Sequence, residues 1–575
     1  MPVYLVMGAL LMQSGTVSVN ASSRPKCTVE GQVVNAASGA PLKRANLRLQ
    51  PVIEGKDIPE TRTTYTSSTD AEGKFVLQDV KPGTYMLRAD RAGYIAQSYG
   101  SRSVSGIGSR LKLDPGQSMK DLQIKLVPQA MVFGKVIDDD GEAVAGVRIQ
   151  MQRLMFFNGK KQWSPYANGT SQADGTFVLG GIPSGKYYLS AETFGDTGSY
   201  GEIESAAGKS GRESFLKTYF PNALDIASAA PLDIGAGAEL RGVEIRMRRG
   251  RVYEIRGRVV NTTPVATPAN VSLVISPKNS DRTVFDGRSQ AFAGGKDLLF
   301  QFKNLLPGTY VIQSQFAQSV VTDPATGEAA LGKGLTGRIE VTIGDANLND
   351  VVFPLGTGVE IIGSIKTETD SSTQVQSQQT SQTPRSATIQ LRATGGVHFA
   401  PPYAQASSEG NFRLHAVAPD VYRVTVYGNP DGTYVKAIRF GGQDITGKDL
   451  DLTSGGGGEL EILLSPNPAD ISGIVRAENG EAVSGILVQL FLGDEVKATV
   501  NTDQYGAFHM SNLAPGDYWL YAWEDIEPGL SQEPSLRKAF ESKATSIKLK
   551  EKSRESLEVK LIAKDLIEAE AAKIR

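Results

Sequence analysis

Three histidines, one cysteine and a few clustered carboxylates are the side chains here that could do chemistry. A hydrolytic zinc site needs histidine and carboxylate ligands that converge on the ion and leave one position open. His398, His415 and His509 sit in three different settings, and none has an HxxE or HExxH spacing. His415 and His509 follow Phe412 and Phe508 by three and one residues. On a strand an odd offset points opposite to the phenylalanine, hence to solvent. No GxSxG elbow accompanies a histidine, so a nucleophilic triad has no anchor. The residues predict no catalytic group, no metal and no cofactor.

The carboxylates read as turn chemistry. "DDDGE" from Asp138 could hold calcium, but the ligand spacing of an EF-hand is absent, and a solvated turn is the simpler reading. Asp70, Asp174 and Asp503 each stand just ahead of a glycine (Gly73, Gly175, Gly506), as expected of Asx-type turns. Cys27, the lone cysteine, permits no intrachain disulfide and reads as incidental, just ahead of the first strand.

Aromatic chemistry is concentrated in one stretch, "DQYGAFHMSNLAPGDYWLYAW", from Asp503 to Trp523. Alternation puts Tyr518, Leu520 and Ala522 on one strand face and Trp519, Tyr521 and Trp523 on the other. The second set is an outward stripe, with His509 expected on the neighbouring strand. Such rings stack on sugars or on partner proteins. In the competing reading, the C-terminal helix or the preceding copy of the repeat described below covers the stripe.

The elements that carry these residues recur. A phenylalanine precedes a tyrosine by ten positions five times, as Phe75/Tyr85, Phe177/Tyr187, Phe300/Tyr310, Phe412/Tyr422 and Phe508/Tyr518. A glycine-led element precedes each pair, at Gly31, Gly134, Gly257, Gly363 and Gly473, with spacings between 103 and 123 residues. A closing apolar strand ends each copy, beginning at Leu122, Val243, Val351, Leu460 and Leu557. Three ordered elements repeated five times define a tandem array. Within a copy, Phe75, Leu77, Tyr85, Leu87 and Ala89 share one face, so one side is buried against a second sheet. The proline and glycine between the phenylalanine and tyrosine strands predict a β-hairpin there. About seven strands in roughly 100 residues is the size of a β-sandwich.

The pattern "GxV…D..G.F.l..l.PG.Y.l.a" resembles the carboxypeptidase regulatory-like domain, a transthyretin-like sandwich, from about Val29 to Leu561. Copies one, two and five follow it most closely. Copy three has Leu298 in place of the turn glycine, and copy four has Pro419-Asp420 in place of Pro-Gly. Longer tails, such as that from Tyr219, resemble versions in secreted bacterial proteins. The resemblance implies a sandwich module and confers no peptidase activity. Related adhesin sandwiches carry Lys–Asn isopeptide bonds. Only Lys135 is suitably placed for one, and its closing strand has no asparagine, so the bond is expected to be missing.

The expected fold is all-β: five tandem transthyretin-like or Ig-like sandwiches in a semi-rigid string with a short C-terminal helix. The expected boundaries are a signal-like 1–26, sandwiches at 27–129, 130–252, 253–359, 360–469 and 470–562, and a helix at 563–575. A polar loop falls at about 369–386, and a long insertion begins "GDTGSYGE" in copy two. The apolar run Val3–Met12 is too short to span a bilayer and reads as an export signal. With 60 basic against 62 acidic residues, spread evenly, the chain has no nucleic-acid footprint. The sequence points to an exported spacer and binding module of the cell envelope or surface, with a protein or polysaccharide partner. A carbohydrate-binding protein that uses Trp519, Tyr521, Trp523 and His509 is the alternative. An accessory subunit of a peptidase or transporter is a weaker one.

Overall fold

The phenylalanine and the leading glycine of each copy meet across a ladder. In the computed structural model the glycine strand pairs antiparallel with the phenylalanine strand. Gly31 lies opposite Phe75, Gly134 opposite Phe177, Gly257 opposite Phe300, Gly363 opposite Phe412 and Gly473 opposite Phe508. Its other edge pairs in parallel with the closing strand, at Leu122, Val243, Val351, Leu460 and Leu557. A Cβ on any of these glycines would lie closer than 3.0 Å to the closing-strand carbonyl. In copies two to five it would also strike the phenylalanine ring. The glycine is thus required by close backbone approach and ring packing.

The tyrosine strand belongs to the opposite sheet. In copy one, Lys74–Val80 pairs with Cys27–Asn35, whereas Gly83–Asp90 pairs with Asn46–Pro51. The expected hairpin is therefore corrected: the proline-glycine turn carries the chain across the sandwich from one sheet to the other. Phenylalanine and tyrosine still share the core, but they approach it from opposite layers. Each tyrosine hydroxyl donates to the carbonyl four residues back, at Lys81, Pro183, Leu306, Ala418 and Ala514, over 2.8–3.0 Å. That bond satisfies a buried phenol and pins the crossover.

The structure describes residues 25–574 except 53–62, 103–105, 107, 158–159, 194–210, 265–269, 279–288, 295–296, 315–316, 323–328, 369–386, 395–400 and 431. The export segment, His398, the copy-four polar loop and most of the copy-two insertion lie outside the described residues. Five apolar cores line up along the chain, spanning Cys27–Leu126, Ala130–Met247, Tyr253–Leu355, Ile361–Leu464 and Ala469–Val559. Each lies between a sheet built on the glycine strand and a sheet that holds the tyrosine strand, and in the fifth copy Ala522 and Trp523 pair in parallel with Leu561 and Ile562 to join the two. The C-terminal helix is present as Lys564–Ile574. Cys27 is not ahead of the first strand but opens it, buried in the first core.

At Leu298 the turn keeps a left-handed backbone (φ 46°) without a glycine, while Gly73, Gly175, Gly410 and Gly506 hold the same position with φ of 72–83°. Burial of the Leu298 side chain in the third core offsets a backbone cost on the order of 1–2 kcal/mol.

The string doubles back on itself. Gly237 N–H donates to the Pro128 carbonyl between sandwiches one and two. Arg212–Phe215 of the second sandwich pairs antiparallel with Arg249–Asn261, the first strand of the third. Ala329–Thr336 lies against Asn411–Val417 between the third and fourth. Tyr434 donates to Glu551, and Arg423 pairs with Glu495, between the fourth and fifth. The fifth then returns to the first and second.

Candidate functional site

The predicted alternation holds in the strand Gly516–Trp523. Tyr518, Leu520 and Ala522 enter the fifth core, and Trp519, Tyr521 and Trp523 take the other face. That face is not open to solvent. Trp523 is fully buried, Tyr521 is buried and Trp519 is half-buried. The expectation of an exposed stripe is corrected, because the chain covers the rings itself. The segment between the tyrosine strand and the closing strand lays Ile526, Leu530, Leu536 and Phe540 over them, and the C-terminal helix adds Ile567 and Ala571.

The cover is held by ring geometry and by one cation. Tyr521 and Trp523 stack with planes 1° apart and centroids 5.2 Å apart; Phe491 and Phe540 meet them edge-on. Helix α1 (Pro534–Ala539) starts behind a Glu533 cap and carries Arg537. The Arg537 guanidinium lies 4.7 Å from the Phe491 ring centre, donates to the Ser531 carbonyl and pairs with Asp494. Trp523 Nε1 and Gln489 Oε1 are buried without a hydrogen-bond partner. Two polar atoms are thus left unmatched beneath the cover, at a cost on the order of 1–3 kcal/mol each.

Two other sandwiches reach this region. Phe156 of the second sandwich joins the aromatic cluster, and Lys161 Nζ donates to the Ile574 carbonyl of the C-terminal helix. From the first sandwich, Lys112 exchanges two backbone hydrogen bonds with the Gln504 amide, at 3.0 and 2.8 Å. Gln117 donates to Tyr505, Asn501 donates to the Gly108 carbonyl, and Arg102 pairs with Glu524 at 2.8 Å. The "DQYG" turn thus does two jobs. Asp503 accepts from the Tyr505 and Ala507 amides, as its Asx role predicts, while the next two residues grip the first sandwich.

The other chemical candidates scatter. His509 lies on the opposite sheet from the tryptophans, paired with Ser472, whose hydroxyl is 3.1 Å from its Nδ1. The expectation that it neighbours the stripe is therefore corrected, because the chain crosses sheets at the proline-glycine turn. His415 approaches Glu360 at 3.6 Å. Asp138 is largely buried, accepts from the Asp140 and Glu142 amides and pairs with Arg249. Burial opposes its ionisation, but these donors outweigh burial and hold its pKa below the ordinary value. No cluster of three or more metal-ligating side chains occurs among the described residues. Lys135 faces Thr176 and Glu244 across its two ladders.

Some residues that matter structurally carried weak signals. Thr69, Ser171 and Thr502, one to three residues ahead of the turn aspartates Asp70, Asp174 and Asp503, bury hydroxyls that bridge two backbone groups in copies one, two and five. The cover could have been inferred from Leu536 and Phe540, four residues apart behind Pro534.

The repeat geometry has a family counterpart. Residues 28–127 match the model of the carboxypeptidase regulatory-like domain. That span is nearly the whole of the first sandwich. The four other sandwiches share its glycine, phenylalanine and tyrosine arrangement. No curated protein matches the chain. Among solved structures, the Streptococcal ancillary pilin is 13% identical with a TM-score of 0.18, covering 57% of this chain and 98% of its own. The minor pilin GBS52 of Streptococcus agalactiae is 14% identical with a TM-score of 0.21, covering 42% and 99%. The Bacillus anthracis TIE protein is 9% identical with a TM-score of 0.15, covering 90% and 74%. Likenesses at this level carry no functional argument. Among the described residues, no helix is long and apolar enough to cross a membrane.

Proposed function

We propose that the chain is an exported, non-catalytic structural and interaction protein of the cell envelope or surface. Its five sandwiches, at 27–129, 130–252, 253–359, 360–469 and 470–562, are its domains, and 563–575 is a sealing helix. The observation that supports this reading is how the chain uses its variable residues. The glycine, phenylalanine and tyrosine positions are built alike five times, whereas distinctive residues such as Phe156, Gln504, Arg102 and Trp523 lie in seams between copies. The function that follows is mechanical: a spacer folded back into a closed circuit, presenting the outer faces of its sandwiches to a protein or polysaccharide. The balanced charge gives no support to a nucleic-acid partner.

Cell fractionation with small-angle scattering of the purified chain tests this. Protein outside the cytoplasm, with a maximum dimension well short of five sandwiches end to end, is expected. Cytoplasmic protein would overturn the export reading, and an extended rod would overturn the closed circuit. The sugar platform built on Trp519, Tyr521, Trp523 and His509 loses its support, since two of the rings lie beneath the chain's own cover and His509 lies on the other sheet.

A further inference from the structure

The face that is sealed in the fifth sandwich is open in the fourth. Counted from the repeat phenylalanine, Tyr427 stands where Trp523 stands in the fifth copy, fifteen residues on. The sheet around it contains two adjacent rows of outward residues. Tyr403, Gln390 and Thr425 form one row, and Gln405, Thr388 and Tyr427 form the next. The alternating neighbours Ile389, Ala404 and Val424 point into the fourth core, which fixes the outward direction of all six. Tyr403 is 67% exposed and Tyr427 44% exposed.

Composition sets this grid apart. All six side chains are uncharged, and each carries a hydroxyl, a phenol or an amide. None has a side-chain hydrogen bond within the described residues. The corresponding rows of the first sandwich hold Asp90, Arg48 and Arg88, and those of the second hold Arg148 and Glu192. Those of the fifth hold Leu487, Tyr521 and Trp523 beneath an apolar cover. A protein partner needs apolar anchors that exclude water, as Leu536 and Phe540 do over the fifth sandwich. These two rows have no aliphatic anchor and no charge; the next row of the same face holds Arg392 and Arg423, the latter paired with Asp449 and Glu495.

We propose that this outer face of the fourth sandwich, built from Tyr403, Gln390, Thr425, Gln405, Thr388 and Tyr427, binds a neutral polysaccharide. The two phenol rings stack against the C–H faces of sugar rings, and the amides and hydroxyls between them take the sugar hydroxyls. The rings stand two strands and two residues apart, which places their Cα atoms roughly 12 Å from each other. No single sugar ring reaches both, so the ligand is a chain of sugars. The six side chains offer an acidic polymer no counter-charge of their own, and the nearest cation on this face, Arg392, stands one row beyond them, so the grid itself takes an uncharged polymer. The proposal is independent of the closed circuit, because it uses one face of one sandwich.

Native affinity electrophoresis of the full chain through gels containing a β-glucan, a mannan, a xylan or starch tests it, with dextran sulfate as the charged comparison. At least one neutral polymer is expected to retard the protein. Tyr403→Ala and Tyr427→Ala should each weaken that retardation at least tenfold, and Gln390→Ala severalfold. Val178→Ala, an exposed apolar position on the second sandwich, should leave it unchanged. Circular dichroism of each variant separates lost binding from lost folding. Retardation by none of the neutral polymers, retardation by dextran sulfate alone, or equal retardation of the tyrosine variants would each overturn the proposal. So would concentration-dependent self-association that the tyrosine variants abolish, since the face would then be a contact between copies.

Discussion

The fourth and fifth sandwiches share a scaffold and differ in what happens to one face of it. Tyr427 and Trp523 occupy the same repeat position, on the same strand and the same outward side. Trp523 is fully buried, and Tyr427 is exposed. The core does not cause this, since Gly363 with Phe412 and Gly473 with Phe508 pack alike. The cause is the segment after the tyrosine strand. In the fifth copy it supplies Ile526, Leu530, Leu536 and Phe540 as a lid. In the fourth, a strand from Tyr434 to Phe440 pairs with the closing strand instead. The face of a repeat is thus set by its insertion, and the inside is set by its three-element signature.

The largest expected break in the comparison is truncation at the shared position. Trp523→Ala should destabilise the fifth sandwich by about 3–5 kcal/mol, as removal of a fully buried ring does. Tyr427→Ala should change stability by no more than about 0.5 kcal/mol. Hydrogen exchange of the core-strand amides in each sandwich reads both. Substitutions inside the scaffold should instead act alike in the two copies. Gly363→Ala and Gly473→Ala are each expected to cost about 1–3 kcal/mol, because the new methyl overlaps a ring and a carbonyl. A large difference between them in thermal unfolding would show that the scaffolds are not equivalent.

Smaller still, Tyr422→Phe and Tyr518→Phe should each cost about 1 kcal/mol through the loss of the hydroxyl-to-carbonyl bond. The repeat tyrosines also set an alkaline limit. Burial raises the pKa of Tyr85, Tyr187, Tyr310, Tyr422 and Tyr518 above the ordinary 10.0, to about 12 at Tyr187. Their neutral forms are favoured in the fold, so this stability is fully present below pH 10 and is lost as pH rises toward 12. Tyrosinate absorbance should rise in two phases, exposed phenols first and the repeat tyrosines together with unfolding. The smallest effect belongs to the seam: Arg102→Ala removes a half-exposed ion pair with Glu524 and should cost under about 1 kcal/mol. Loss of docking of the fifth sandwich on the first, seen by cross-linking, would show that this seam is weaker than its hydrogen bonds suggest.

The scaffold was legible because its constraints are local and repeated. Gly31 to Gly473 recur because the closing-strand carbonyl leaves no room for a Cβ. Alternation placed Trp519, Tyr521 and Trp523 on the correct face for the same reason that it placed Tyr518 in the core. Three things were not legible. Proline-glycine turn chemistry does not distinguish a hairpin from a crossover between sheets, so His509 was expected beside the tryptophans and lies across the sandwich from them. Coverage is a tertiary property, and nothing in the sequence of Gly516–Trp523 differs between an exposed stripe and one under a lid. The contact between Gln504 and Lys112 lies beyond sequence reading altogether, as it joins residues 392 apart.

Oxidative footprinting of the native chain, read residue by residue by mass spectrometry, tests the central claim most directly. The account predicts fast labelling of Tyr403 and Tyr427 together with protection of Tyr521 and Trp523. Labelling of Tyr521 and Trp523 as fast as Tyr427 would contradict it, because the fifth face would then be as open as the fourth.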